Sequence, residues 1–326
     1  MNVASTTGNK PLEVITLSDG KSLTAEILPF GAIIKSIKFN NQEMTLCVNE
    51  PAYYLENPFY LGATVGRYAN RIENGRFVLS GTEYQLKANN GPNSLHGGEK
   101  GFNKVLWQVT KQSNNDVELY YCSADGEEGF PGQLQVWQTI TARNGELILS
   151  YKAITDKETL VNFTNHCYFN LEGSESINNH LLQINTVKYL PIDSNSIPLA
   201  HHEDGSGSCF DFTHPKTIGD ALCAQHAQLD AGSGFDHCYI FSDDNRLKTM
   251  ATLTSPHTGV NLTLKSTQPG MQLYTANFVD SPFKARQAVC LEAQNWPNAA
   301  NRSDYPKANL LPDEEYNQQI IFAFSQ

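Results

Sequence analysis

Long apolar runs are missing from this 326-residue chain. A membrane span needs about 20 consecutive, predominantly apolar residues, and no uninterrupted stretch approaches that length. The first ten residues, MNVASTTGNK, also lack the apolar region of a secretory signal peptide. We therefore expect no membrane partner and a cytoplasmic location.

Positive charge is scarce as well. Lys and Arg number 23 against 34 Asp and Glu, so the formal net charge is −11, and the basic residues form no run. Nucleic acids and anionic membrane surfaces repel a chain with this charge. We therefore expect no nucleic-acid partner, whereas a neutral ligand is compatible with the charge.

Paired cysteine motifs are also absent. The seven cysteines are odd in number, and no two form the Cys-x-x-Cys spacing of zinc ribbons or thioredoxin-type sites. We expect reduced, half-buried thiols that pack as small apolar groups. The string His201-His202-Glu203-Asp204 has a metal-like composition, but a polar exposed loop has the same one, and we favour the loop.

Helical periodicity is rare, and short segments of alternating polar and apolar residues dominate. Segments 134–140 and 147–153 flank Asn144-Gly145, the strongest hairpin signal in the chain. Many short strands separated by Gly, Asn, Asp and Pro predict stacked antiparallel sheets, and therefore an all-β chain of one domain. Further strands are predicted at 22–28, 76–79, 83–87, 260–264, 271–274, 289–292 and 320–324.

Two segments carry a helical pattern. The better one runs from Ile218 to Leu229, with Gly232 just beyond it as a stop signal. A shorter one lies within segment 50–56. Segment 193–213 is rich in Ser, Gly, Asp and His, and we predict a long loop there that borders a binding cleft.

Three dispersed strings carry most of the functional information. They are GRYANRI at 66–72, NNGPNSLHGG at 89–98 and NHCYFNL at 165–171. The second string places His96 between a Pro-Asn turn and a pair of glycines. Because glycine has no side chain, backbone or ligand can approach it closely. Such a polar loop suits a small polar ligand better than a packed core.

These strings, in this order, resemble those of the galactose mutarotase (aldose 1-epimerase) family. Three later pieces extend the resemblance over nearly the whole chain, namely GFDH at 234–237, QLYT at 272–275 and LEAQNWP at 291–297. The resemblance implies a single domain over residues 1–326. It also implies that this domain is one large antiparallel β-sandwich, a supersandwich, with few short helices.

The resemblance further implies a reaction. Members of the family interconvert the α and β anomers of free hexoses such as galactose and glucose by opening and closing the sugar ring. Ring opening needs a base at the C1 hydroxyl and an acid at the ring oxygen, and a carboxylate and an imidazolium suit those tasks near neutral pH. The expected partner is a free aldohexose, and the chemistry requires no cofactor and no metal.

Six positions match the functional residues of the family. The resemblance makes Glu292 the general base, His166 the general acid and His96 the group that holds the region of the ring oxygen. Hydrogen bonds from charged and polar side chains orient a sugar and reject analogues that lack a hydroxyl. Three residues are expected to form them: Asn70, Arg71 and Asp236.

Without the resemblance, the same residues favour plainer interpretations. Glu292 lies in an alternating strand and would point to solvent, while His166 would be a hydrogen-bonded core histidine. Arg71 would join a surface ion pair, and Asp236 would cap a turn. In the functional interpretation, a carboxylate near His166 is expected to raise the pKa of this histidine.

Three positions depart from the residues that are common in the family, namely Cys167, Trp296 and Asn298. These residues lie beside the proposed catalytic residues, so they affect sugar preference rather than the reaction class. Trp296 is expected to stack on the cleft or to shield it.

Three alternatives remain open at this point. The first is a sugar-binding protein without catalysis, and the second is a hexose-6-phosphate epimerase, which would favour additional Arg or Lys at the mouth of the cleft. The third is a non-haem iron enzyme, because His96, His166 and Glu292 have the composition of a facial triad.

Overall fold

The computed structural model describes residues 10–326, which contain 26 strands. β1 to β9 are Ile15–Ser18, Leu23–Leu28, Ile33–Phe39, Gln42–Glu43, Thr64–Val65, Arg71–Ile72, Arg76–Leu79, Thr82–Gln85 and Ser94–Leu95. β10 to β18 are Gln108–Gln112, Asp116–Ser123, Leu134–Arg143, Glu146–Thr155, Thr159–Leu160, Thr164–Asn165, Leu181–Ile184, Lys188–Tyr189 and Glu203–Asp204. β19 to β26 are Lys216–Thr217, Asp236–Ile240, Lys248–Thr254, Asn261–Ser266, Gly270–Tyr274, Cys290–Gln294, Asn309–Leu310 and Tyr316–Ser325.

The largest sheet has nine strands in the order β10-β11-β12-β13-β26-β22-β21-β16-β19, and every pairing in it is antiparallel. Its long central hairpin joins β12 to β13 through Asn144 and Gly145, whose φ values are 52° and 79°. Two successive positive φ values are typical of the turn that matches the twist of paired strands. The predicted Asn-Gly hairpin is confirmed.

Two smaller sheets complete the main framework. The four-stranded sheet β1-β2-β3-β4 packs against β12 and β13, and both sheets contribute apolar side chains to one core. Leu23 and Ile27 enter this core from β2, while Val136 and Ile140 enter it from β12. The five-stranded sheet β18-β17-β20-β23-β24 carries polar residues that line a cavity. The predicted all-β antiparallel sandwich is confirmed.

Helices are few and short, as predicted. The two α-helices in the described residues are α1, Ile218–Leu222, and α2, Ala227–Gly232. The 3-10 helices are Pro51–Leu55, Glu73–Gly75, Phe102–Lys104, Glu127–Gly129 and Ala299–Asn301. The first of them confirms the short helix expected within segment 50–56.

The single helix predicted from Ile218 to Leu229 is wrong. α1 ends at Leu222 with Cys223 as its C-cap, and the backbone is extended at His226, where φ is −151°. The ring of His226 then accepts a hydrogen bond from the backbone N–H of Gln228 and begins α2. A side chain that satisfies a free N–H of the first turn starts a new helix, and this cap divides the segment.

Segment 193–213 is largely irregular, with β18 as the strand within it. The predicted loop is therefore confirmed in most of its length. His201 and His202 are exposed there, and His201 Nε2 lies 3.5 Å from Glu203 Oε1. Among the residues that the structure describes, no helix is long and apolar enough to cross a membrane.

All seven cysteines carry free thiols. Their burial is uneven rather than uniformly partial. Cys47 is partly buried and two thiols, Cys122 and Cys223, are exposed. The four others are buried: Cys167, Cys209, Cys238 and Cys290.

Candidate active site

One face of three neighbouring strands forms the floor of a cavity. β23 pairs with β20 on one side and with β24 on the other, and Gln272 lies directly opposite Glu292. Because side chains alternate along a strand, Asp236, Gln272 and Glu292 share one face. Leu273 and Leu291 point the other way, into the core. Glu292 is therefore only 2% exposed, and the solvent-facing alternative suggested by its alternating position is wrong.

The two histidines come from loops that short strand pairs hold in place. His166 follows β15, which pairs with β5, and His96 follows β9, which pairs with β6. The ring Nδ1 of His96 accepts a hydrogen bond of 3.1 Å from the backbone N–H of Asn70. The backbone N–H of His96 donates in return to the carbonyl of Asn70 at 3.1 Å. This reciprocal contact fixes the position of the His96 ring.

Steric crowding explains why a glycine follows His96. Gly97 has a φ of 86°, and a Cβ atom there would lie 2.0 Å from the carbonyl oxygen of Gly66. A side chain cannot fit at that distance, and most residues also avoid this φ. The close approach of two backbones, expected from the sequence, is thus observed between the strings at 66–72 and 89–98.

All six residues singled out in the sequence line one cavity of about 330 Å³. His166 Nε2 lies 3.7 Å from Glu292 Oε1, and the rings of His166 and His96 are 5.5 Å apart between centroids. Arg71 Nη1 lies 3.7 Å from Asp236 Oδ2. Segment 193–213 contributes no residue to this cavity wall, so the prediction that it borders the cleft is wrong.

Several residues of the cavity wall had no role in the sequence prediction. Gln272 donates a 2.6 Å hydrogen bond to Asp236 Oδ1. Tyr60 and Tyr168 both stack on the His166 ring, at 5.9 Å and 4.9 Å between centroids. The alternation of side chains along β23 could have identified Gln272, because it lies two positions before Tyr274 and on the same face of the strand. Tyr60 lies in a different loop, and no such sequence pattern points to it.

Burial controls the protonation of the central pair. It raises the pKa of Glu292 well above the usual range, with Asp236 adding to the effect and Arg71 opposing it. Burial lowers the pKa of His166 to about 4. The expectation that a neighbouring carboxylate raises the pKa of His166 is therefore wrong, because the cost of burying the imidazolium exceeds the attraction.

His96 is also held in its neutral form. Burial lowers its pKa well below the ordinary value, and the positive charges of His166 and Arg71 act in the same direction. Since Nδ1 accepts the N–H of Asn70, the proton of the neutral ring belongs on Nε2. His96 is thus arranged as a hydrogen-bond donor without a charge.

Two buried oxygen atoms of the cavity wall have no hydrogen-bond partner among the described residues. They are Glu292 Oε2 and Gln272 Oε1, opposite one another on β24 and β23. A buried polar atom without a partner costs about 1–3 kcal/mol. Both residues line the cavity, so a ligand with hydroxyl groups would satisfy both atoms.

Comparisons with known proteins agree with this geometry. The family model described as "Aldose 1-epimerase" matches residues 13–323. The chain belongs to the aldose 1-epimerase family. Galactose mutarotase of Sus scrofa is 40% identical over 318 residues, which cover 93% of this chain and 91% of that protein. Aldose 1-epimerase of Escherichia coli K12 is 32% identical over 333 residues, covering 97% and 96%.

Solved structures of the aldose 1-epimerase family share the fold. The GalM/aldose epimerase homologue from C. elegans superposes with a TM-score of 0.90 at 28% identity, covering 96% of this chain and 98% of that one. Galactose 1-epimerase from Lactobacillus acidophilus gives a TM-score of 0.87 at 29% identity, covering 96% and 94%.

The three departures from common aldose 1-epimerase residues lie outside the cavity wall. Trp296 donates from Nε1 to the carbonyl of Pro269 at 2.8 Å and packs on Tyr305, so the expectation that it stacks on the cleft is wrong. Cys167 is buried in the core. Asn298 accepts the backbone N–H of Glu73, so this residue holds a loop.

A buried trio of potential metal ligands lies at the cavity floor. Its members are His166, Cys290 and Glu292, with ligand atoms within 4.8 Å of one another. Cys290 Sγ contacts Nδ1 of the imidazole, whereas Glu292 Oε1 lies near Nε2. The raised pKa values of the thiol and the carboxyl group favour their protonated forms, which bind metal ions poorly, so the trio is a poor metal site.

A larger cavity of about 880 Å³ lies on the nine-stranded sheet. Its charged side chains pair with one another, Lys111 with Glu118 and Lys152 with Glu315. It has no histidine in its wall. The smaller cavity, with its buried carboxylate and imidazole, is therefore the candidate active site.

Proposed function

We propose that this protein is an aldose 1-epimerase that interconverts the anomers of free hexoses such as galactose and glucose. The observation that carries the proposal is the buried pair of Glu292 and His166, 3.7 Å apart in a cavity with polar walls. The relatives, a galactose mutarotase and an aldose 1-epimerase, support the same activity.

Glu292 and His166 can together open and close a sugar ring. In the opening step, the ionised Glu292 takes the proton of the C1 hydroxyl while protonated His166 gives its Nε2 proton to the ring oxygen. The bond between C1 and the ring oxygen breaks, and C1 becomes an aldehyde. Rotation about the C1–C2 bond exposes the other face, and the reverse proton transfers close the ring as the other anomer.

The burial of the pair matches this cycle. Ring opening converts a carboxylate and an imidazolium into a carboxylic acid and a neutral imidazole, so the number of protons on the pair is unchanged. Burial favours the neutral forms, as the pKa shifts of Glu292 and His166 indicate. Arg71 favours the carboxylate. The net shifts favour the neutral pair, which is the proton arrangement that ring opening produces.

Polar groups around the pair would orient the sugar. Asp236 is held by Gln272 and Arg71, and its carboxylate can accept hydrogen bonds from hydroxyls. The neutral His96 can donate from Nε2 to the ring oxygen as negative charge develops there. Asn70, which fixes His96, also lines the cavity.

A phosphorylated hexose fits the cavity wall less well. Among the described residues that line it, Arg71 is the one cation. Its guanidinium already contacts Asp236, and its Nε donates to Asn90 Oδ1 at 3.0 Å. A hexose 6-phosphate would need further basic groups, so a neutral sugar is the better substrate class.

Polarimetry tests this proposal directly. The optical rotation of freshly dissolved α-galactose should relax to equilibrium faster with the protein than in buffer, and EDTA should leave the rate unchanged. A sugar-binding protein without catalysis would leave the buffer rate unaltered. A larger effect on α-glucose 6-phosphate would favour the phosphate alternative, and activity that EDTA abolishes and one metal ion restores would revive the iron alternative.

We also propose that residues 1–326 form one domain and act in the cytoplasm. The shared core, to which β2 and β12 both contribute, supports the first part. A single cooperative unfolding transition, seen by both fluorescence and circular dichroism, would be expected. Fractionation of cells with an antibody to the protein tests the location.

A further inference from the structure

A thiol contacts Nδ1 of the proposed catalytic imidazole. Cys290 Sγ lies 3.5 Å from His166 Nδ1, whereas Glu292 Oε1 lies 3.7 Å from Nε2 of the same ring. Cys290 is fully buried and stands two positions before Glu292, so both side chains project from the same face of β24. The mechanism described above gives this thiol no part.

The proton cycle places a requirement on Nδ1. If Nε2 of His166 gives a proton to the ring oxygen and later takes it back, then Nδ1 must keep its own proton throughout. The neutral ring is then the tautomer with hydrogen on Nδ1, and this N–H needs an acceptor. The second tautomer, with hydrogen on Nε2, cannot take a proton back at that atom.

Two acceptors lie beside Nδ1. One is the sulfur of Cys290, and the other is the backbone carbonyl of His166 itself. That carbonyl already accepts the backbone N–H of Gly62 at 3.0 Å. That carbonyl is therefore shared with a backbone donor, whereas the sulfur has, among the described residues, the imidazole as its one hydrogen-bond contact.

We propose that Cys290 is a positioning residue that accepts the Nδ1–H of His166 and so leaves Nε2 as the nitrogen that exchanges a proton with the sugar. This inference rests on the acid role proposed for His166. Burial and Glu292 raise the pKa of Cys290 well above its usual value, so the group is a neutral thiol. A neutral sulfur is a weak acceptor and adds no negative charge that would make the imidazolium a poorer acid.

Three variants separate this role from simple packing. Cys290→Ala removes the acceptor, and Cys290→Ser replaces it with a hydroxyl. Cys167→Ala is the matched control, because Cys167 is an equally buried thiol next to His166 in the chain but packs in the main core. The imidazole ¹⁵N shifts of His166 at neutral pH report the tautomer, and polarimetry gives kcat and KM.

We expect hydrogen on Nδ1 of His166 in the parent protein, in Cys290→Ser and in Cys167→Ala. Cys290→Ala should show a shift toward the Nε2–H tautomer. Its kcat should fall about tenfold, the worth of one hydrogen bond, with little change in KM. Cys290→Ser should recover most of that loss.

Two results would overturn the proposal. One is an Nε2–H tautomer of His166 in the parent protein, a result that does not depend on whether any variant folds. The other is a Cys290→Ala protein with the tautomer and kcat of Cys167→Ala, since the carbonyl alone would then suffice. The ¹⁵N measurement does not depend on turnover, so a protein without mutarotase activity would disprove the proposed function and still reveal which atom holds the proton.

Discussion

Glu292 and His166 are 2% and 5% exposed, and their facing atoms lie 3.7 Å apart. At this distance in a buried site the two groups titrate as one unit, so each limb of a pH profile belongs to the pair. The active pair holds one mobile proton, on either the carboxyl or the imidazole. The pH dependence of the rate is set by where the pair gains and loses that proton.

The rate of mutarotation should have a bell-shaped pH profile. On the acid side the pair gains a second proton on His166, whose pKa is lowered to about 4, so activity should fall near pH 4. On the basic side the pair loses its last proton, and the raised pKa of Glu292 places this limb well above the ordinary range of a glutamate. Initial polarimetric rates across pH test this; a rate already lost at pH 6 on the acid side would contradict it.

The two histidines should differ in their contributions. His166→Asn removes the proton donor and should lower kcat by about 10²–10⁴. His96→Asn removes a neutral donor that orients the sugar, so it should cost less or act partly through KM. Steady-state polarimetry of both variants separates these effects. An inactive His96→Asn beside a nearly normal His166→Asn would reverse the assignment.

Sequence reasoning identified six residues of the cavity wall because their motifs resemble those of the family. It assigned no role to Tyr60, which lies in a distant segment, or to Tyr168, which lies in the same string as His166, because no motif shows that these rings stack on the imidazole. It also gave the wrong direction for the pKa of His166. The sequence places a carboxylate nearby, but the degree of burial, which decides the sign, depends on the tertiary packing.

At the scale of elements, the floor of the site is a consequence of strand pairing. β20, β23 and β24 bring Asp236, Gln272 and Glu292 to one face through their register. A slip of one residue in β24 would turn Glu292 into the core and Leu291 into the cavity. The alternation of each strand is visible in the sequence, whereas the pairing of segments far apart in the chain is not.

Gly97→Ala should destabilise the protein, because the added Cβ would meet the carbonyl oxygen of Gly66 at 2.0 Å. We expect the free energy of unfolding to fall by roughly 1–3 kcal/mol. Gly81→Ala is the matched control: its φ is also positive, at 79°, but nothing lies within 4 Å of the new Cβ. Urea denaturation of both variants is the measurement, and equal losses would show that the backbone contact has no part.

Helix prediction failed where a single side chain decides the outcome. The apolar pattern from Ile218 to Leu229 is compatible with one helix, but α1 ends at Leu222 and His226 caps the N-terminus of a second helix, α2. Histidine is not among the common capping residues, so the sequence carries no start signal at that position. The Asn144-Gly145 turn is the opposite case, because its two residues specify the turn locally.

At the scale of the whole molecule, the net negative charge of the chain and the charged residues of the cavity wall favour an uncharged substrate. The formal net charge is −11, and in the cavity wall Arg71 is paired with Asp236. A phosphorylated sugar would meet repulsion at a distance and would find no unpaired arginine or lysine in the described cavity wall. A neutral hexose meets no such repulsion, and the polar cavity wall supplies the hydrogen bonds that its hydroxyls require.

The most direct test of the central claim is the polarimetric rate of a Glu292→Gln variant with α-galactose. The amide keeps the shape of the side chain but cannot accept the C1 proton, so the rate should fall by about 10²–10⁴ while galactose still binds, as NMR titration would show. Glu203→Gln, which changes a partly buried glutamate bonded to Tyr189 outside the cavity, should retain the parent rate. A Glu292→Gln protein that binds galactose and turns it over at a near-normal rate would contradict the account.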